Sequence, residues 1–433
     1  MVINKRWKDK KDGVAQPPHV DTPGTEIPAS TRVKESQDAE GPGLGVALAG
    51  LGIVAGVALA AKGRKNARAA AARKAAAFDP LKPYNRLPLL PPKAELETKA
   101  VLKACVAARA ALAELKASGG LIPNQAVLIN AIPLLEARDS SAIENVVTTN
   151  DALYQAALDE DGKHDPGTKE VVRYRRALRE GFEGLKKRPL STNLFRSLCA
   201  TIKGREVDVR KVTDTTLKNQ DGKVVYTPPV GADLLRDLLA NLELYLHAED
   251  GLDPLVRMAV AHYQFEAIHP FLDGNGRTGR IINILFLVEQ GLLDLPVLYL
   301  SRFIIVRKAE YYRLLAGVTT NNSWEPWILF MLEAVADTAR ETVERIRRIR
   351  DLFDAACERV RRELPKIYSK ELLELLFELP YCRINVLVER GIAQRQTAAT
   401  YLDALEKIGI LKSEQKGRDK LFRNLELEKA LRN

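Results

Sequence analysis

Residues 269–280 read HPFLDGNGRTGR, and the rest of the chain can be read outward from them. Asp253 to Ile268 before them and Gly276 to Gly291 after them have the apolar spacing of helices, so the twelve residues form a loop and the first turns of a helix. Arg277 and Arg280 are three positions apart and share a helix face. Cations at a helix N-terminus oppose its dipole and lie beside N–H groups that lack acceptors, which is unfavourable unless an anion balances them. Gly274 and Gly276 have no Cβ, so the backbone can approach phosphate oxygens closely while the free N–H groups point at them. A polyphosphate meets these conditions. Asp273 beside the turn is a hard oxygen ligand able to hold Mg²⁺ against two phosphate oxygens. His269 is free to take a proton from an incoming hydroxyl. A capping histidine or a Gly-Asn-Gly turn alone has a structural explanation, but a base, a metal ligand, an anion hole and two arginines in one short run do not.

HPFLDGNGRTGR resembles the signature of the Fic family, HxFx(D/E)GNGRxxR, at every defined position. The resemblance implies a mainly α fold, a Fic-type helical bundle with a small β-hairpin flap, and transfer of AMP from ATP to a Ser, Thr or Tyr hydroxyl of a target protein with Mg²⁺ as cofactor. It makes His269 the general base and Asp273 the metal ligand. Gly274, Asn275, Gly276, Arg277, Thr278, Gly279 and Arg280 become the nucleotide site, with Asn275 and its backbone on the α-phosphate and the two arginines on the β- and γ-phosphates. Tyr312 in KAEYYRLL resembles the residue lining the nucleoside, with Tyr311 assigned to the core. Gln264 is placed toward the nucleotide, and His262 is read as packed. Leu217 to Thr227, with a turn at Asp221-Gly222, resembles the flap that aligns a target by strand addition.

Upstream, Ser140-xxx-Glu144-Asn145 resembles the family's inhibitory motif, (S/T)xxxE(G/N), in the class where it precedes the core. By that resemblance Glu144 pairs with Arg280 and takes it from the γ-phosphate. Ser141-Ala-Ile-Glu144 is also a capping box, which would place these residues at a helix start.

Apolar residues make up 46% of the 433-residue chain and charged residues 28%, a balance that excludes a wholly disordered or wholly membrane-embedded protein. Cys105, Cys199, Cys357 and Cys382 are too dispersed for a zinc site or a disulfide framework, which suits a cytoplasmic protein. The formal charge of +10 permits nucleic-acid or membrane contact without requiring it. Five segments are expected. Residues 1–77 are a disordered or apolar extension, in which the uncharged run 41–61 and the basic residues after it have the form of a membrane anchor, although the run is mostly Gly and Ala. Residues 78–190 are a helical region carrying the inhibitory helix, 191–335 the catalytic domain and 336–365 a helical linker. Residues 366–433 read as three helices and a wing over Leu411 to Phe422 that contains Lys416-Gly417-Arg418, a winged helix-turn-helix. That module opens a competing reading as a DNA-binding regulator through Arg395, Gln396, Lys416 and Arg418. Removal of AMP is a second alternative. Target proteins, self-modification and a homodimer are all compatible with the sequence.

Overall fold

The computed structural model describes residues 78–433 except 122–124, 161, 220, 417, 418 and 433. The expected extension 1–77, its apolar run 41–61 and the wing tip at 417 and 418 lie outside the described residues. Among the described residues no helix is long and apolar enough to cross a membrane.

The chain is mostly helical. In order come α1 (Lys99–Ser118), a 3₁₀ turn (Gly119–Leu121), α2 (Ala126–Ile143), α3 (Asn150–Leu158), α4 (Pro166–Leu185) and α5 (Thr192–Lys203). A hairpin of β1 (Leu217–Lys218) and β2 (Val224–Tyr226) follows, then α6 (Ala232–Leu246), α7 (Pro254–Ile268), α8 (Asn275–Glu289), α9 (Leu300–Val306), α10 (Lys308–Asn321) and α11 (Trp324–Glu363). The C-terminal part comprises α12 (Lys370–Glu378), β3 (Tyr381–Arg383), α13 (Ile384–Glu389), α14 (Arg395–Lys407), β4 (Lys412–Lys416), β5 (Asp419–Arg423) and α15 (Leu425–Arg432). Thr98, Thr149, Asp165, Ser191, Asp253 and Ser369 each accept a backbone N–H at a helix start, and Pro166 and Pro254 occupy first-turn positions that need no donor.

Helix α7 is buried on nearly every side, from Leu255 through Phe265, as an apolar-all-round helix must be. It is the central rod of the core, and Trp327 of α11 donates its indole N–H to the Ala259 carbonyl at 2.8 Å. Helix α8 is likewise buried from Arg277 to Leu287, so the loop between α7 and α8 is held by two interior helices. The hairpin sits at the same end, with the Tyr226 hydroxyl donating to the Ala267 carbonyl at 2.8 Å. Its turn is shaped by Gly222 at φ 76°, as the Asp-Gly pair requires.

Helix α11 runs unbroken for 40 residues. The boundary expected at 335/336 therefore falls inside one element. Buried Val335, Ala339, Val343, Ile346, Ile349 and Phe353 continue one apolar stripe across it, and neither Gly nor Pro interrupts the helix after Pro326. It packs along α1 and carries the C-terminal module, whose sheet has the antiparallel order β3-β5-β4. Gly391 at φ 68° turns the chain between α13 and α14. Two elements were not expected: β3 enters between the first two helices, and α15 follows the wing, capped by Asn424 and packed through Leu427 and Leu431.

Candidate active site

His269 is the residue at which α7 stops. It adopts a left-handed backbone (φ 48°), and its N–H closes the helix on the Phe265 carbonyl at 3.0 Å. Arg210, only 2% exposed, lies beneath the loop: its Nε donates to the His269 carbonyl at 2.8 Å, and its Nη2 reaches the carbonyls of Ile268 and Pro229. The imidazole is partly buried and its Nδ1 lacks a partner among the described residues. Burial, with Arg210 adding to it, lowers the His269 pKa to about 4, so the ring is neutral at pH 7.

The loop is tied by Asn275, whose side chain accepts from the Phe271 N–H and donates to the Phe271 carbonyl, both at 2.8 Å. The Asn275 amide thus shapes the turn through its oxygen and one of its two N–H donors. Gly274 sits at φ 84°, and the N–H groups ahead of Thr278 have no acceptor within α8. Thr278 and Gly279 face the core rather than the loop. Thr278 is fully buried, and a Cβ at Gly279 would lie 2.7 Å from Glu266 and 3.1 Å from Phe265, so Gly279 lets α8 close on α7.

Arg277 and Arg280 are each 2% exposed, and a carboxylate from α2 reaches both. Glu144 accepts from Arg277 Nε at 2.5 Å and from Arg280 Nη2 at 2.8 Å. Arg280 also donates to Ser140, at 2.7 Å to Oγ and 2.8 Å to the carbonyl. A Cβ at Gly276 would lie 2.5 Å from Glu144 Oε1, so glycine there makes room for the carboxylate. The contact to Arg277 was not anticipated.

The capping-box reading is overturned, because Ser141 and Glu144 lie at the end of α2. Asn145 is left-handed at φ 64°, with its N–H on the Ala142 carbonyl and the Val146 N–H on the Ser141 carbonyl, both at 3.0 Å. This is a Schellman stop, and it explains why glycine or asparagine follows the glutamate: only those residues adopt the left-handed conformation cheaply.

Asp273 is half exposed and holds Lys203 Nζ at 2.5 Å and Arg277 Nη2 at 3.1 Å. Burial works against ionisation, but Lys203 and Arg277 outweigh it and hold the carboxyl below its usual pKa. A charged, accessible carboxylate of this kind suits Mg²⁺. Among the described residues no cluster of three His, Cys, Asp or Glu could bind a metal by itself, so phosphate and water would have to complete the shell.

Gln264 is not at the loop. It is 1% exposed and donates to the Pro88 carbonyl at 2.9 Å, fastening the segment before α1 onto α7. Tyr311 is buried, with its hydroxyl 2.8 Å from His262 Nε2, whereas Tyr312 is 45% exposed and stands edge-on to Tyr311. Burial lowers the pKa of His262 to about 3, in keeping with a packed, neutral ring.

Three charged residues near the arginines escaped the sequence. Glu170 of α4 accepts from Arg277 Nη1 and, at 2.6 Å, from Lys203 of α5. Glu136, two turns before Glu144, is buried and accepts from Tyr174 at 3.0 Å and from the Ser301 N–H and hydroxyl at 2.8 and 2.5 Å. Burial raises its pKa to about 7 against those bonds.

Sequence profiles match three segments that together span more than half of the chain. Residues 102–183 match the Fic/DOC family N-terminal domain and 189–287 the Fic/DOC family itself. The chain belongs to the Fic/DOC family. Residues 352–427 match the C-terminal domain of proteins described as protein adenylyltransferase SoFic-like. Among relatives of this Fic/DOC chain, protein adenylyltransferase fic-1 of Caenorhabditis briggsae is 36% identical over 86 residues, 19% of this chain and 16% of that protein. Protein adenylyltransferase Fic of Drosophila grimshawi is 28% identical over 148 residues, 34% of this chain and 27% of its own length. The chain thus matches well under half the length of these relatives. A crystallised Fic family protein from Desulfovibrio desulfuricans G20 is 22% identical, with a TM-score of 0.49 over 76% of this chain and 96% of its own. The N-terminal Fic/DOC segment holds Ser140, Glu144, Asn145 and Glu170, while the Fic/DOC segment holds Lys203 and the whole 269–280 loop.

Proposed function

We propose that the protein is an adenylyltransferase that moves AMP from ATP onto a hydroxyl of a target protein and is restrained by its own Glu144. One observation carries the reading: beside a neutral His269, a carboxylate fills the space between two buried arginines at a helix N-terminus. A site that takes a carboxylate there suits phosphate oxygens by the same charge and donor pattern.

In the transfer, the target hydroxyl gives its proton to His269 as its oxygen bonds to the α-phosphorus. The bond from that phosphorus to the bridging oxygen breaks, and pyrophosphate leaves. Arg277 and Arg280 hold the departing phosphates, and the N–H groups at the start of α8 hold the α-phosphate. Mg²⁺ on Asp273 would neutralise and orient the phosphates. The hairpin at Tyr226 offers a strand edge on which a target segment can lie. Glu144 blocks the phosphate contacts while it holds both arginines.

The test is intact-mass analysis of candidate targets, and of the protein itself, after incubation with ATP and Mg²⁺. Wild type is expected to add AMP slowly and Glu144→Gly faster. A folded Glu144→Gly protein with no gain would remove the restraint, and the absence of any AMP adduct from both proteins would remove the activity.

A further inference from the structure

We infer that Glu170 is the positioning residue of the phosphate side of the site, and that Lys203 is a third cation it presents to the nucleotide; this rests on the nucleotide reading above. Six charged side chains form one alternating chain. Arg280 meets Glu144 at 2.8 Å and Glu144 meets Arg277 at 2.5 Å; Arg277 meets Glu170, Glu170 meets Lys203 at 2.6 Å, and Lys203 meets Asp273 at 2.5 Å. A contact of 3.1 Å from Arg277 to Asp273 closes a ring within it.

The three carboxylates do not have equivalent prospects once a nucleotide enters. Glu144 must release both arginines. Both Asp273 oxygens are occupied by cations, so a metal arriving there competes with Lys203 and Arg277 for them. Glu170 is then the one carboxylate of the chain that still touches Arg277 and Lys203, through Nη1 and Nζ. It is fixed on α4, whose start is pinned by Asp165 and Pro166 and which packs on α5 and α8, so it does not need to move. Its hold on Nη1 orients the guanidinium and leaves Nε, the position vacated by Glu144, for a phosphate oxygen. Lys203 ends α5, where a cation is favoured, and is only partly exposed beside Asp273. Two clustered cations need a fixed anion to keep them convergent until the phosphates arrive.

The test uses the full chain with Glu144→Gly, measuring ATP affinity by calorimetry with and without Mg²⁺ alongside kcat and KM for AMP transfer. Adding Glu170→Gln is expected to weaken ATP binding about tenfold and to raise KM similarly, with kcat within about twofold. Glu170→Asp should recover part of the loss. Lys203→Met, which keeps the aliphatic stem, should weaken ATP binding comparably, and the Glu170→Gln, Lys203→Met pair should be little worse than either alone. Lys203→Met carries the test if Glu170→Gln fails to fold. Unchanged ATP affinity in the Lys203 and Glu170 variants, or a fall in kcat with affinity intact, overturns the inference while the nucleotide reading stands. If Glu144→Gly itself binds no ATP, that reading fails and the inference with it.

Discussion

At His269 two influences act on one imidazole: burial removes water from the ring, and Arg210 sets a positive charge behind it. Both disfavour the protonated form, against weaker opposing effects from Glu144 and Asp273, so the pKa moves down, to about 4. The ring is expected to remain neutral as pH falls from 7.5 to 5.5, and histidine side-chain NMR checks this. A His269 resonance that titrates near 6.5 would contradict the environment described here. His269→Ala is expected to lower AMP transfer by about 10²- to 10⁴-fold while ATP binding persists, because a base acts on the transition state and not on the phosphates. Near-normal turnover would exclude His269 as the base. The loop residues were legible in the sequence because their chemistry is contiguous. Glu170 and Lys203 were not, since a lone charged residue on an amphipathic helix has the pattern of any solvated face. Gln264 was misplaced because α7 is buried all round, so periodicity cannot say which neighbour a given side chain meets.

The elements give the contact of Glu144 with the arginines its precision. Helix α2 stops where Asn145 turns left-handed, and that stop sets Glu144 toward Arg277 and Arg280. Asn145→Gly is therefore expected to keep the restraint. Asn145→Val puts a β-branched residue at φ 64°, costs about 1–3 kcal/mol of local strain and is expected to raise basal transfer toward that of Glu144→Gly. Hydrogen exchange over 140–146 should rise in the same variant. Equal basal rates in the Gly and Val proteins would mean that the helix stop does not govern Glu144. The four residues SAIE fit a helix start as well as a helix end, and the sequence could not choose between them. The left-handed residue after them decides it, and the motif's requirement for glycine or asparagine was the available clue.

Across the whole molecule, α11 is shared by the core and the C-terminal module. That module also touches the chain on both sides of the turn at Glu144 and Asn145, through Asn130 to Glu378 at 3.4 Å and Tyr381 to Asp151 at 2.8 Å. Ile346→Ala, at a fully buried position midway along α11, is expected to cost about 2–5 kcal/mol and to lower one calorimetric transition; two resolved transitions would show that the module unfolds separately. In the wing, Lys420 already faces Asp403 and Glu406, and Arg423 faces Glu414 and Glu428. DNA binding by the full chain is accordingly expected to be weak, with a shallow dependence on salt; a steep slope would restore the regulator reading.

The pairing of Glu144 with Arg277 and Arg280 occurs within one chain, so the carboxylate meets the arginines at a local concentration set by the fold and independent of how much protein is present. With Glu144 as the proposed brake, dilution is expected to leave the restraint unchanged and higher expression is expected not to strengthen it. A competing phosphate-rich ligand is expected to shift the balance. Activity per molecule should then stay level across a dilution series and climb with ATP, which would make the enzyme a gauge of its cell's nucleotide level and indifferent to its own abundance.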